Sequence, residues 1–255
     1  IRMKRLITFT VAATVFAATV YSMTVLFIGD SITDGNWGNP VGYPCPTQAR
    51  STTDMNHIYG HGYMFLIASQ LQGETPEKGY RFYNRGISGN TLDDLETRWH
   101  DDVIAHSPDV VSVLIGTNDV HRYMEGDRNR PFDFDGWEKR YRALLDITRD
   151  SLPDVNFVLG CPFTAYTGNM RNYNSPDDFS LRKSVIEQLD SIVEKIAIDY
   201  EAVFVPYHEL FKQLATDYAS LHGTDWIWDG IHPTPAGHRK MADMWLEQTR
   251  MIFDN

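Results

Sequence analysis

An unbroken apolar run, Val25-Leu26-Phe27-Ile28, breaks abruptly at Gly29-Asp30-Ser31. Four consecutive apolar residues without alternation describe a strand buried on both faces, which is the signature of a parallel sheet covered by helices. The break that follows is where such a strand hands over to a helix. A serine at that junction has its hydroxyl beyond the carboxyl end of a strand and its N–H at a helix start, where negative charge is stabilised. The ordinary role for a lone serine there is to cap the helix. Whether Ser31 does more depends on the rest of the chain.

Further strands are expected at residues 80–83, 109–115, 155–159 and 202–205, and helices at 63–71, 92–105, 134–152, 177–200, 207–219 and 235–252. The helix at 177–200 carries Leu181, Val185, Ile186, Leu189, Ile192, Val193 and Ile196 at helical spacing. Strands alternating with helices imply a parallel sheet covered on both faces. The expected fold is a single α/β domain over residues 23–255, three-layered α/β/α, with five parallel strands in the flavodoxin-like order 2-1-3-4-5. Ligands of such sheets bind beyond the carboxyl ends of the strands, where the strand order reverses beside strand one.

Three more polar blocks follow, two of them ending strands. Asn84-Arg85-Gly86-Ile87-Ser88-Gly89 follows strand two, and Gly116-Thr117-Asn118-Asp119 follows strand three. Asp229-Gly230-Ile231-His232-Pro233 precedes the last helix and can reach the same rim. A serine hydroxyl needs a base to accept its proton, and a histidine base needs a carboxylate to hold its tautomer. A tetrahedral oxyanion needs donors already aimed at it, here the Ser31 N–H, the Gly89 N–H and the Asn118 amide. Singly, each residue could shape a turn. Their order on one rim asks for a common purpose.

These four blocks resemble those of the SGNH hydrolases, also called GDSL esterases and lipases, over residues 25–238. Ile32 stands where the family usually has leucine, a volume-conserving exchange. The resemblance implies an esterase in which Ser31 is the nucleophile, His232 the base and Asp229 its orienter. It likewise implies that Gly89 and Asn118 join Ser31 in the oxyanion hole.

The substrate expected from the rim is a short acyl group, acetyl above all, on a carbohydrate. Residues 36–60 and 223–228 are rich in Trp, Tyr, His, Asn and Asp and lack the aliphatic stretch that a lid over a fatty chain would need. Trp37, Tyr43, Tyr59, Trp226 and Trp228 offer flat faces to sugar rings, and His57 and His61 offer polar neighbours. Lipase and thioesterase activities of the same family stay open. From another class, Ser88-Gly89-Asn90-Thr91 resembles a flavodoxin phosphate loop, but it follows strand two and not strand one. His57 and His61 stand four apart without the glutamate of a zinc-protease motif. Neither a cofactor nor a metal is expected.

Met3-Lys4-Arg5 and the uncharged apolar residues 6–20 describe a secretory signal over residues 1–22, with small residues at Ala17, Ala18 and Ser22 for cleavage. A secreted or periplasmic enzyme without a membrane anchor is therefore expected. The net charge of −11 argues against nucleic acid and anionic membranes as partners. The two cysteines, Cys45 and Cys161, set no disulfide framework, and free thiols are expected.

Overall fold

The computed structural model describes residues 22–37, 45–50, 53, 55–218, 220, 222 and 225–254. The expected signal segment, Tyr43 and much of the loop after Ser31 lie outside the described residues. The first strand, β1, spans Thr24–Gly29. It leads directly into a single-turn helix, α1, at Ser31–Asp34. Helix α2 is Tyr63–Glu74, β2 is Arg81–Gly86 and α3 is Leu92–Asp102. Strand β3, Val110–Leu114, is followed by α4, Thr117–Glu125, and α5, Phe134–Ser151. Strand β4 is Asn156–Gly160, followed by α6 at Gly168–Tyr173 and α7 at Pro176–Asp199. Strand β5, Val203–Val205, precedes α8, Tyr207–Asp217, α9, Pro235–Gln248, and α10, Arg250–Phe253.

The five strands are all parallel, in the order β2-β1-β3-β4-β5. Val25, Leu26, Phe27 and Ile28 are fully buried, as a central strand covered on both faces requires. Alternation sends successive side chains to opposite layers. Phe27 packs on Tyr63 of α2 and Trp245 of α9, with ring centroids 5.8 and 5.2 Å away. Trp245 is anchored by donating from its indole N–H to Ser112 Oγ of β3 at 3.0 Å. On the other face α3, α5 and α7 pack side by side. There Trp99 of α3 donates to Thr148 Oγ1 of α5 at 2.8 Å. Buried indoles thus find a polar partner in each layer.

Two helices depart from the expectation. Thr117–Glu125 and Gly168–Tyr173 are helical where no helix was expected. Strand β2 also runs three residues further than expected, through Asn84 to Gly86. Asn84 is buried and its amide donates to Thr33 O at 2.9 Å, Asp34 O at 3.3 Å and Tyr59 O at 2.9 Å. Those bonds tie the end of β2 to α1 and to the loop before α2. Both cysteines are free, Cys161 buried and Cys45 partly so.

Candidate active site

Ser31 is the first residue of α1, not its cap. The cap is Asp30, whose Oδ1 accepts the Ile32 N–H at 3.0 Å. With the capping done by Asp30, the Ser31 hydroxyl is left for another partner, and it finds one in His232 Nε2 at 2.8 Å. The turn is tight because Gly29 lies against the carbonyl of Leu114 on β3, where any Cβ would collide.

His232 reaches Ser31 on a short hairpin. Ile227 and Pro233 pair as an antiparallel bridge, and the Trp228 N–H donates to His232 O at 3.0 Å. Within it Asp229 does two tasks. Its Oδ1 accepts the N–H groups of Ile231 and His232 at 2.9 and 2.7 Å, and its Oδ2 lies 2.7 Å from His232 Nδ1. One carboxylate therefore fixes both the hairpin backbone and the ring that the hairpin carries. A hydroxyl, an imidazole and a carboxylate bonded in this sequence can move the hydroxyl proton onto the ring when the oxygen attacks an electrophile.

The turn that follows β2 borders the cleft at Ser31 through Ser88, while Gly89 and Asn118 are not among the residues that line it. The Asn90 N–H donates to Ile87 O at 3.2 Å, which closes a β-turn with Gly89 at φ +83°. That conformation favours glycine, while the space a Cβ would enter is open. The Asn118 side chain, at the start of α4, donates to Asn90 O at 3.0 Å. One amide hydrogen is used in holding this orientation and the second remains. Ser88 Oγ donates to Asp34 Oδ2 at 3.0 Å, and Arg122 donates to Gly89 O at 3.3 Å. The carbonyls of Gly89 and Asn90 are thus bonded from outside the turn, as is the Ser88 side chain.

Residues 27–240 match the model of the GDSL-like lipase/acylhydrolase family. The chain belongs to that family. It is a carboxylic ester hydrolase. It is 31% identical to an acetylxylan esterase from Geobacillus stearothermophilus over 88% of this chain and 92% of that protein. The crystal structure of that enzyme covers 91% of this chain and 96% of its own, with TM-score 0.68 and 32% identity. A GDSL-like lipase from Parabacteroides merdae superposes with TM-score 0.74 at 29% identity, covering 89% of this chain and 95% of that one. Structures of the Geobacillus enzyme include catalytic variants in which a serine, an aspartate or a histidine is replaced by alanine.

The electrostatics of the esterase's site follow from the contacts. Burial disfavours a charged His232 ring, but the hydrogen bond and charge of Asp229, with help from Asp30, outweigh it and hold its pKa above the ordinary imidazole value. Burial likewise works against an ionised Asp229, yet the ring and backbone bonds from His232 and the Ile231 N–H keep its pKa below the usual carboxylate value. Asp30, buried behind Ser31, is pushed up to about 7, mainly by loss of solvent. Asp119 behind the turn is pushed up to about 6 for the same reason, although it accepts the Leu92 N–H and the Trp137 indole.

Ser31 opens into a cleft of about 520 Å³ lined by Gly35, Asn36, His61, Ser88, Trp228, Asp229, His232 and His238. Of the residues expected at the rim, His61 is there, and so is Trp228. Its ring lies near-parallel to His232 with centroids 6.4 Å apart, and it is 52% exposed. Trp37, Tyr59 and His57 are not among the cleft residues. Trp37 is buried beneath the Arg50 guanidinium and its indole donates to Ile58 O. Tyr59 packs edge-on against Phe82 and accepts from Gln72, and His57 packs against His61. Among the described residues, the Trp37 and His57 rings pack within the loop and Tyr59 packs on β2. Sequence reasoning passed over Asp30, Asp34, Ser88 and His238. None of them carried a signal in the sequence that sets it apart from an ordinary loop or helix residue. Among the described residues no group of three or more His, Cys, Asp or Glu side chains could hold a metal ion, and no helix is long and apolar enough to cross a membrane.

Proposed function

We propose that the protein removes acetyl groups from acetylated carbohydrate by a serine acyl-enzyme mechanism. The observation that carries this reading is the bonded series Ser31 Oγ–His232 Nε2–His232 Nδ1–Asp229 Oδ2, at 2.8 and 2.7 Å. Ser31 Oγ attacks the acetyl carbonyl while His232 takes its proton. The carbonyl oxygen becomes an oxyanion bonded by the Ser31 and Gly89 N–H groups and the free amide hydrogen of Asn118. The carbon–oxygen bond to the sugar then breaks, and His232 returns the proton to the departing hydroxyl. Water, deprotonated by the same ring, attacks the acetyl-serine and releases acetate and free Ser31. Asp229 keeps the Nδ1 proton in place and stabilises the imidazolium in both halves.

The catalytic variants of the Geobacillus enzyme support the assignment of roles, since the aspartate replaced there stands three positions before the histidine, as Asp229 stands before His232. The substrate reading rests on the relatives that act on acetylxylan and on the cleft. Its described walls are histidine, asparagine, serine and one exposed tryptophan face, which suits a hydroxylated ring better than a long aliphatic chain.

The test is kcat/KM on p-nitrophenyl acetate, butyrate and octanoate beside acetate release from acetylated xylooligosaccharides. Acetate esters, aryl and sugar, are expected to be cleaved fastest. If octanoate is fastest and the acetylated sugar is untouched, the enzyme is a lipase and the substrate reading falls.

A further inference from the structure

His238 lies in the first turn of α9 and faces the catalytic cleft from the side of His232. Its position is set at both ends. The Thr234 cap of α9 receives the His238 N–H on its carbonyl at 2.8 Å. The ring crosses to α2, where Nδ1 accepts the N–H of Tyr63 at 3.1 Å. Tyr63 is the first residue of α2, and its cap position is Gly62, which has no side chain to receive an amide. His238 thus supplies a cap acceptor from a distant part of the chain. The ring also lies parallel to that of Tyr63, centroids 6.5 Å apart and planes 5° apart.

This anchoring decides the tautomer. A ring nitrogen that accepts a backbone N–H carries no proton, so in the neutral ring the hydrogen sits on Nε2. A Cβ on Gly62 would come 3.3 Å from Cε1, so that edge of the ring is against the backbone. Among the described residues Nε2 meets no protein partner. Burial and the neighbouring His232 push the His238 pKa down to about 4. The ring therefore stays neutral while His232 titrates and adds no positive charge beside the imidazolium.

We infer that His238 recognises the alcohol side of the ester, its Nε2–H donating to an oxygen of the sugar next to the acetylated position. This rests on the carbohydrate reading above. The side is set by the chemistry. His232 must return its proton to the departing oxygen, so the leaving group lies on the His232 side of Ser31. The oxyanion lies opposite, against the Ser88–Gly89 turn. A donor on the His232 side that is fixed in direction and neutral at working pH selects a leaving group with a hydroxyl near the ester. A p-nitrophenol leaving group has none there.

His238→Asn keeps an acceptor within reach of the Tyr63 N–H while drawing the donor out of the cleft. His238→Ala removes both. For each variant, kcat/KM is measured on an acetylated xylooligosaccharide and on p-nitrophenyl acetate, alongside Tm. In His238→Asn the ratio of sugar ester to aryl ester is expected to fall about tenfold, chiefly through KM, with the fold intact. Equal losses on both esters would mean that His238 acts only as the cap of α2, and would overturn the inference. Should wild-type enzyme cleave the aryl ester and ignore the sugar ester, the carbohydrate reading falls and takes the inference with it. A measurement on wild type does not depend on the variants folding. A monoacetylated sugar lacking the neighbouring hydroxyl should lose about the same factor. Full activity on that deoxy ester would also contradict the assignment.

Discussion

His232 uses its two ring nitrogens for different partners, and the pH dependence of the enzyme follows from that division. In the proposed mechanism Nε2 must be unprotonated to accept the Ser31 proton, so activity is expected to be lost as pH falls through the His232 pKa. Because Asp229 holds that pKa above the ordinary imidazole value, the acid limb of kcat/KM should lie above about 6.5. Asp229→Asn keeps the size of the side chain but removes the charge and, with the remaining oxygen on the backbone N–H groups, turns an NH2 donor toward His232 Nδ1. The limb should then move to lower pH, and the rate should fall by about three to four orders of magnitude. A pH–rate profile of both proteins checks this. An acid limb that does not move would mean that Asp229 does not set the His232 pKa. Ser31, Asp229 and His232 stood out in the sequence only together, as blocks in order that resemble those of a known family, since each alone could have shaped a turn. His238 did not stand out. Its meaning comes from the Tyr63 N–H, 175 positions away, and no local pattern announces such a partner.

Among the elements, the central strands could be read because strands buried on both faces must be continuous apolar runs. β2 is an edge strand, and its residues alternate between buried and more exposed. Asn84-Arg85-Gly86 therefore looked like a turn, although Asn84 is buried within the strand. Helix α4 was hidden in the same way, since Thr117-Asn118-Asp119 is turn chemistry at the head of nine helical residues. The short helix α1 depends on an ion pair that the sequence did not suggest. Asp34, at its end, pairs with Arg50, both side chains almost fully buried, and Arg50 also donates to Gly86 O. Burial raises the Asp34 pKa and lowers that of Arg50, the expected penalty on both ions. Asp34→Ala leaves the guanidinium buried without its carboxylate and releases Ser88. Urea unfolding should show a loss of about 3–5 kcal/mol. A loss under about 1 kcal/mol, within the range of exposed pairs, would mean that the Arg50 side chain finds water and the pair holds little together.

Across the whole molecule, the parallel sheet brings the ends of β1, β2 and β3 to one rim, and the hairpin before α9 closes over it. The turn after β2, Ser31 after β1 and Asn118 after β3 end neighbouring strands because β1 lies between β2 and β3 in the sheet. That much follows from strand order, which alternating strands and helices already implied. The walls of the cleft do not follow from it. Trp37 and Tyr59 were read as sugar platforms from their place in a polar loop, yet whether a loop aromatic faces inward or outward depends on what packs against it. Here Arg50 and Phe82 pack against them. Trp228, on the hairpin that carries His232, keeps an exposed face. The central claim is that Ser31 takes an acetyl group from sugar. It is tested most directly by mixing enzyme with acetylated xylooligosaccharide, quenching in acid within the first turnover and mapping the peptides by mass. The account predicts one added acetyl on the peptide containing Ser31, absent in Ser31→Ala. Acetate release at the normal rate from Ser31→Ala, or an acetyl group trapped on a different residue, would contradict it.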